Sequence, residues 1–386
     1  MPMQISKLKN KFVYTKRRKK VGIFTYTMDT KKQYFIYEEA DNLINYKLVF
    51  FYKKLMNLNK KIDAYCLETF INDSGIIYFT KEVIESFESL VKKNNIGIFH
   101  AQFITDAIIY YDFLKNLNLP LLVNFRAHEL SVPFVRFILP KIFPKITKII
   151  TKSNFQRNEL IKQDYDKSKI EVIYGGINLE NIPFVGREFR DGDIKIISAG
   201  RFVEIKNFEA TINFFFEVKK KYRSAKLTLI GCGEREENIR GLIVKLNLES
   251  SVQLLDFMDH HNFIKELYSH HIFILPSKTA KNGDMEGIPN VLKEAMASGM
   301  PVISTYHAGI PELIEDGKTG FLVAEGDCAG ILKKFEWILR NKRKTLEICH
   351  NARAWILKKF DVKKNINKIE SIYDEVLSKN NLWTHG

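Results

Sequence analysis

Gly283 to Val323 reads GDMEGIPNVLKEAMASGMPVISTYHAGIPELIEDGKTGFLV, a pattern of loop, helix, strand, loop, short helix and strand. Pro289 suits the first turn of a helix, where its missing N–H costs nothing. The helix is expected over Asn290 to Ser298, ending at Gly299, a residue type that caps helix C-termini. Met300 to Thr305 is short, apolar and partly β-branched, as a buried strand is. Such a helix start leaves unpaired backbone N–H groups around Gly287, Ile288, Pro289 and Asn290, and these bind anions, phosphate above all. Glu286 precedes the helix and Glu294 lies a little over two turns on, so the two carboxylates point roughly the same way. They can hold hydroxyls at the mouth and flank of the helix. For the pair taken alone, an ordinary helix with a capping acid and a surface glutamate is the plainer reading.

Working outward, Ile194 to Ala199 reads as a strand that runs into Gly200, Arg201 and, five residues on, Lys206. A helix follows to Tyr222. Two cations at a strand-to-helix turn stand where parallel sheets bind anions; ordinary surface charge fits them equally. Leu227 to Gly231 is a strand entering Gly231-Cys232-Gly233-Glu234. Glu236 stands where a dinucleotide fingerprint has its third glycine, so that motif is incomplete. Val252 to Leu255 and Ile272 to Pro276 are further strands. Asp259-His260-His261 and His270-His271 lack metal-ligand spacing on any expected element and read as surface or strand-edge residues. Helices are expected over Ala329 to Arg340, Lys344 to Lys359 and Val362 to Ser378.

The first half alternates in the same way. Strands are expected at Val21 to Thr27, Ile62 to Leu67, Ile96 to His100, Pro120 to Phe125, Lys148 to Thr151 and Ile170 to Tyr174. Helical patterning covers Gln33 to Leu58, Lys81 to Lys92, Thr105 to Asn116 and Asn154 to Gln163. Alternation of this kind implies parallel, doubly wound sheets, which bind ligands at the carboxyl ends of their strands. His100 ends one strand, and Arg126, His128 and Glu129 follow another.

A chain of 386 residues suits two domains better than one core, and its 45% hydrophobic content is that of a globular protein. No run approaches a membrane span or a signal peptide's apolar segment. Cys66, Cys232, Cys328 and Cys349 have no metal or redox spacing and read as reduced thiols of a cytosolic protein. About +12 of the net charge of +15 lies before Arg187, and residues 1–20 carry only basic charges. A basic face of this kind meets nucleic acid, anionic lipid or nothing. Asp191-Gly192-Asp193 has a metal-binding spacing but falls in a polar linker, where chance explains it.

The stretch from Glu286 to Val323 resembles the signature of the family-four retaining glycosyltransferases of GT-B fold. Their E-x7-E motif matches Glu286 and Glu294, and EAMASGMPV and GIPELIEDGKTGFLV match almost throughout. Gly200-Arg201 with Lys206, the glycine turn at Gly231, and Gly175-Gly176 with Asn178 are similar to further family phrases. Two departures stand out. Arg126 occupies the place of the family's usual histidine, with His128 as a substitute from a shifted loop and Glu129 in the place of the acid. The family's paired-glycine loop after the first strand is replaced by Met28 to Ala40, where Gln33, Phe35, Ile36 and Glu38 loosely match an exopolysaccharide-type subgroup.

The resemblance implies an α/β GT-B molecule of two Rossmann-like domains facing a cleft. Residues 1–187 would form the acceptor side, with 1–19 as a basic leader. Residues 188–360 would bind the nucleotide-sugar, and 361–386 would cross back to the first domain. It implies transfer of a sugar from a nucleotide-sugar donor to a hydroxyl of a glycan or lipid-linked saccharide, with retention, without a metal or cofactor and without nucleic acid as a partner. Arg126, His128, Arg201, Lys206 and Glu286 would serve the reaction. Gly200, Arg201, Lys206, Gly231, Glu286, Gly287, Ile288, Pro289, Asn290 and Glu294 would bind the donor. The expected location is cytoplasmic, with the basic end against the membrane's inner face. An inactive transferase-like scaffold and a basic nucleic-acid- or membrane-binding protein are the alternatives.

Overall fold

Buried runs of β-branched and aromatic residues become parallel strands, each followed by a segment that re-crosses the sheet. The computed structural model describes residues 18–379, apart from 30–33, 58–62, 68–69, 72–76, 116, 127–128, 130–131 and 190–193. The first half contributes strands β1 (Lys19–Asp29), β2 (Tyr46–Asn57), β3 (Ala64–Cys66), β4 (Phe70–Ile71), β5 (Ile77–Tyr78), β6 (Ile96–Ala101), β7 (Leu121–Phe125), β8 (Lys148–Thr151) and β9 (Ile170–Val172). Its helices are α1 (Tyr34–Asp41), α2 (Lys81–Asn94), α3 (Ile104–Ile109), α4 (Tyr111–Leu114), α5 (Pro133–Ile142) and α6 (Asn154–Lys162). The second half has β10 (Lys195–Ala199), β11 (Lys226–Ile230), β12 (Val252–Leu255), β13 (Ile272–Leu275), β14 (Val302–Thr305) and β15 (Phe321–Val323). Around them lie α7 (Phe208–Lys221), α8 (Glu236–Lys245), α9 (His260–Tyr268), α10 (Asn290–Ala297), α11 (Ile310–Leu313), α12 (Cys328–Arg340), α13 (Lys342–Lys359) and α14 (Val362–Lys379).

Seven parallel strands form the first sheet in the order β3-β2-β1-β6-β7-β8-β9. Six form the second, also parallel, in the order β12-β11-β10-β13-β14-β15. In each sheet the order reverses at the first strand of its half, which makes the carboxyl ends of β1 and β10 topological switch points.

One expected element is wrong. The helix predicted over Gln33 to Leu58 stops at Asp41, and β2 takes the remainder, paired with β1 from Tyr46 opposite Lys19 onward. Tyr46 to Asn57 reads YKLVFFYKKLMN. Its apolar residues satisfy a helical period and a strand period together, and burial of Val49, Phe50 and Phe51 in the sheet decides the matter.

The helix α14 returns to the first sheet. Ile366, Ile369, Tyr373 and Val376 pack with Val21, Ile23, Tyr46 and Ile98. Glu370 accepts hydrogen bonds from the backbone N–H groups of Ile44 and Asn45, at 2.7 and 2.8 Å. Asp374 accepts one from Tyr46 Oη at 2.6 Å. These bonds tie the last helix to the loop before β2.

Candidate active site

The helix α10 begins one residue after Pro289, whose extended ψ of 128° makes it the cap, and reaches Ala297. Gly299 then takes a φ of +84°, and a Cβ there would meet Val185 O at 2.7 Å. Only glycine turns the chain in that space. The turn drops β14 beside β13, and that pairing sets α10 with its N-terminus at the carboxyl end of the sheet.

Those strand ends enclose a cleft of about 600 Å3. Gly200, Arg201, Gly231, Cys232, Met258 and Glu294 are among its walls. Gly231 makes the narrow turn possible: its φ is +151°, and a Cβ would lie 1.9 Å from Gly200 O. Arg201 is exposed at the rim. Glu294 is only 1% exposed and so is no surface glutamate. Its Oε1 accepts a hydrogen bond from His260 Nε2 at 2.9 Å. Burial opposes a charge on this ring, but the Glu294 bond and charge outweigh it, so the His260 pKa stands above its ordinary value. The reading of His260 as a surface residue is therefore corrected. The first turn of α9, capped by Asp259, aims its side chain into the cleft wall. The reading of His270 is corrected too: it is buried and bonds Thr228 Oγ1 at 2.8 Å.

Lys206 and Glu286 face each other, 2.5 Å apart between Nζ and Oε1, with both side chains about a tenth exposed. The Glu286 N–H donates to His307 Nε2 at 3.0 Å, and His307 Nδ1 lies 2.5 Å from Glu325 Oε1. An Nε2 that accepts must be unprotonated, so the proton of this ring sits on Nδ1 and is donated to Glu325. Glu325 also takes the Thr279 N–H and hydroxyl. A chain of fixed partners thus holds the backbone of Glu286 at the mouth of α10. Gly287, Ile288 and Asn290 are partly exposed there, and Pro289 is buried.

The opposite wall comes from the first sheet. Arg126, just past β7, donates from Nε to Gln102 O at 3.1 Å and from Nη2 to Gln102 Oε1 at 3.0 Å. Glu129 accepts from the N–H groups of Ile104 and Arg126, at 2.8 and 2.9 Å. It pins the loop after β7 to the start of α3, so it is bound up in backbone. Burial pushes its pKa up to about 8, while those N–H bonds favour the carboxylate. His128, Gln33, residues 1–17 and Asp191-Gly192-Asp193 lie outside the described residues.

Residues of both walls meet. Glu312 on α11 accepts from the N–H groups of Asn154 and Phe155, at 2.7 and 2.8 Å, and from Tyr174 Oη at 3.0 Å. A carboxylate of the second domain thus caps α6 of the first. Lys293 Nζ donates to Gly175 O at 2.8 Å. Sequence reasoning missed Glu39, Lys152, His260, Lys293, His307 and Glu312. Lys152 had a usable signal, because it follows the last residue of a strand, as Arg126 does.

Comparison with known proteins agrees with this architecture. The chain is 32% identical over 222 residues to the amylovoran biosynthesis glycosyltransferase AmsK of Erwinia amylovora, covering 58% of this chain and 54% of AmsK. It therefore spans about half the length of that curated relative. Sucrose-phosphate synthase of Thermosynechococcus elongatus superposes with a TM-score of 0.76 at 16% identity, over 94% of this chain and all of the other. Anabaena HepE, solved with UDP and glucose, also gives 0.76, at 15% identity, over 93% of this chain and all of HepE. Residues 70–181 match the family model described as Glycosyltransferase Family 4, and 184–355 that described as Glycosyl transferases group 1. With both halves matched in order and two Rossmann-like sheets facing a cleft, the chain belongs to these glycosyltransferase families and has the GT-B fold.

Proposed function

We propose that the protein moves a sugar from a nucleotide-sugar to a hydroxyl of a glycan or lipid-linked saccharide in cell-surface polysaccharide synthesis, with retention and without a metal. One observation carries the reading: Glu294, buried and held by His260, lines a cleft that begins at Arg201 and ends at α10. A buried carboxylate in a cleft wall matches ribose hydroxyls, and the α10 N-terminus with Arg201 matches a diphosphate. UDP in HepE and the polysaccharide named for AmsK point the same way.

In this reading Lys206 and Glu286 neutralise each other until donor arrives. Lys206 then turns to the diphosphate and Glu286 to hydroxyls of the sugar. The bond from the anomeric carbon to phosphate breaks as that carbon bonds to the acceptor oxygen on the same face. The acceptor's proton passes to the departing phosphate oxygen. Charge growing on the diphosphate is met by Arg201, Lys206 and the N–H groups of Gly287, Ile288 and Asn290. These supply the electrostatic work that a divalent cation does in other transferases.

A membrane-side acceptor is supported by α5, which exposes Phe134 and Phe137 (57% and 67%), with Lys141 Nζ 4.3 Å from the Phe137 ring centre. Aromatic and basic side chains together suit an anionic lipid surface. Binding to anionic vesicles should weaken on Phe137→Ser; unchanged binding would remove α5 from the membrane contact.

A thermal-shift screen against UDP, GDP, ADP and their sugar conjugates, with and without EDTA, tests the main reading. A rise in Tm with one base that survives EDTA is the expected result. No shift with any nucleotide would overturn the donor site. A shift that EDTA abolishes would overturn its metal independence.

A further inference from the structure

Among the described residues, the first-domain wall sets two cations against one carboxylate. Glu39, in α1, lies between two cations: Arg126 Nη2 is 3.4 Å from its Oε2, and Lys152 Nζ is 3.6 Å from its Oε1. Lys152 is 7% exposed, and its Nζ makes no hydrogen bond among the described residues. From the other wall Lys293, 2% exposed, hydrogen-bonds neutral oxygens, those of Gly175 O and Asn290 Oδ1, at 2.8 Å each. The neighbouring carboxylate of Glu294 already holds His260. Two cations therefore share Glu39, and Lys293 faces them from the second domain, its neighbour Glu294 being engaged with His260.

Such an arrangement is costly in an empty protein. An ammonium taken out of water without a close anion loses solvation that hydrogen bonds to neutral oxygens only partly restore. Burial pushes Lys293 down to about 7 and Lys152 down to about 8, and each feels the positive charge of Arg126 as well. A network built only to join the domains would pair its charges, as Glu312 does with the start of α6. A network built to receive an anion leaves a cation over.

Resting on the donor-cleft reading above, we propose that Arg126, Lys152 and Lys293 form a subsite for an anionic substituent, carboxylate or phosphate, on one of the sugars joined in the cleft. The position supports this. Lys293 is in α10 beside Glu294, on the donor side, whereas Arg126 and Lys152 end strands of the first sheet, on the acceptor side. The substituent belongs either to the donor sugar or to the acceptor residue that meets it. A neutral sugar would leave Lys152 with only its share of Glu39, which Arg126 also uses, and would not be bound here in preference.

The test uses the full chain and follows Tm. Glucuronate, glucose 6-phosphate and glucose are added with and without each nucleoside diphosphate. In a second arm, nucleotide-glucuronate is compared with nucleotide-glucose. Glucuronate or glucose 6-phosphate should raise Tm by about 2 °C at ten times Kd where glucose does not. A shift in the first arm puts the anionic group on the acceptor. Preference for nucleotide-glucuronate alone puts it on the donor. Lys152→Met and Lys293→Met should abolish the charged-sugar effect while the nucleotide shift remains, and should leave the ligand-free Tm equal or higher. Equal effects of charged and neutral sugars in every arm would overturn the subsite, as would a lower ligand-free Tm in both variants with an intact charged-sugar shift. Failure of the nucleotide shift alone would overturn the donor reading instead.

Discussion

The two walls of the cleft handle charge in opposite ways. On the α10 side each acid has its own close partner: Lys206 with Glu286 at 2.5 Å, His260 with Glu294 at 2.9 Å, His307 with Glu325 at 2.5 Å. On the β7–β8 side one acid is shared between two cations at 3.4 and 3.6 Å. On the first wall each of these acids is matched to one partner before any ligand arrives, and only the Lys206–Glu286 pair re-aims when donor enters. The second is set only in part and takes its final form from what enters. Fixed chemistry on one side and an adaptable partner on the other would let a single scaffold keep its reaction while its acceptors vary.

That contrast can be attacked one residue at a time. Lys206→Ala should have the largest effect, a loss of roughly 100- to 1000-fold in kcat, the range seen when one group facing developing charge is removed. A steady-state assay that found a loss below about tenfold would move the charge-bearing role to Arg201. Glu294→Ala should raise the nucleotide Kd by about 10- to 100-fold, the worth of one or two hydrogen bonds to a charged group. Calorimetry showing unchanged affinity would remove its ribose role. His307→Phe should lower kcat by about tenfold with nucleotide Kd unaltered, since it loosens Glu286 and touches no nucleotide. His307→Gln, which keeps an acceptor for the Glu286 N–H, should recover part of the loss. An equal fall in affinity would show that the Glu325–His307 pair supports the whole cleft.

The last test concerns the cation cluster that joins the two walls. Lys293 titrates at about 7 in the folded chain, against about 10.4 when unfolded. Between these values the unfolded chain binds more protons, so the penalty for burying this lysine is full below about pH 7 and fades as pH rises. Lys293 should therefore add to ligand-free stability from about pH 7 to about pH 10, at up to about 1.4 kcal/mol per unit, and Lys293→Met should remove that part of the slope. An unchanged slope in denaturant melts would mean that Lys293 is already neutral or paired.

The α10 wall could be read from sequence because its information is local. Pro289, Gly299 and the spacing of Glu286 and Glu294 each constrain their own neighbourhood, and the cation turn at Arg201 to Lys206 lies within a single strand-to-helix connection. The cation cluster across the cleft is assembled from α1, the ends of β7 and β8, and α10, more than 250 positions from Glu39 to Lys293. No periodicity joins those. His307 shows the same limit: nothing near it names Glu325 or the Glu286 N–H as partners. The mistaken helix over Gln33 to Leu58 had a different origin, a segment that fits two periods until the sheet buries one face. It hid Glu39, whose short helix ends four residues before β2 begins.

Glu312 gives the two-domain plan a practical corollary. Its carboxylate lies within the stretch that marks the second domain, yet its partners Asn154, Phe155 and Tyr174 belong to the first. A chimera that grafts another transferase's second half onto this first half would inherit the seam as well as the catalyst. Where the graft lacks an acid at this position, the start of α6 would be left facing solvent or a mismatched side chain, and the halves would meet at a different angle. Module exchange in this architecture is thus governed by a junction residue as much as by the reaction centre.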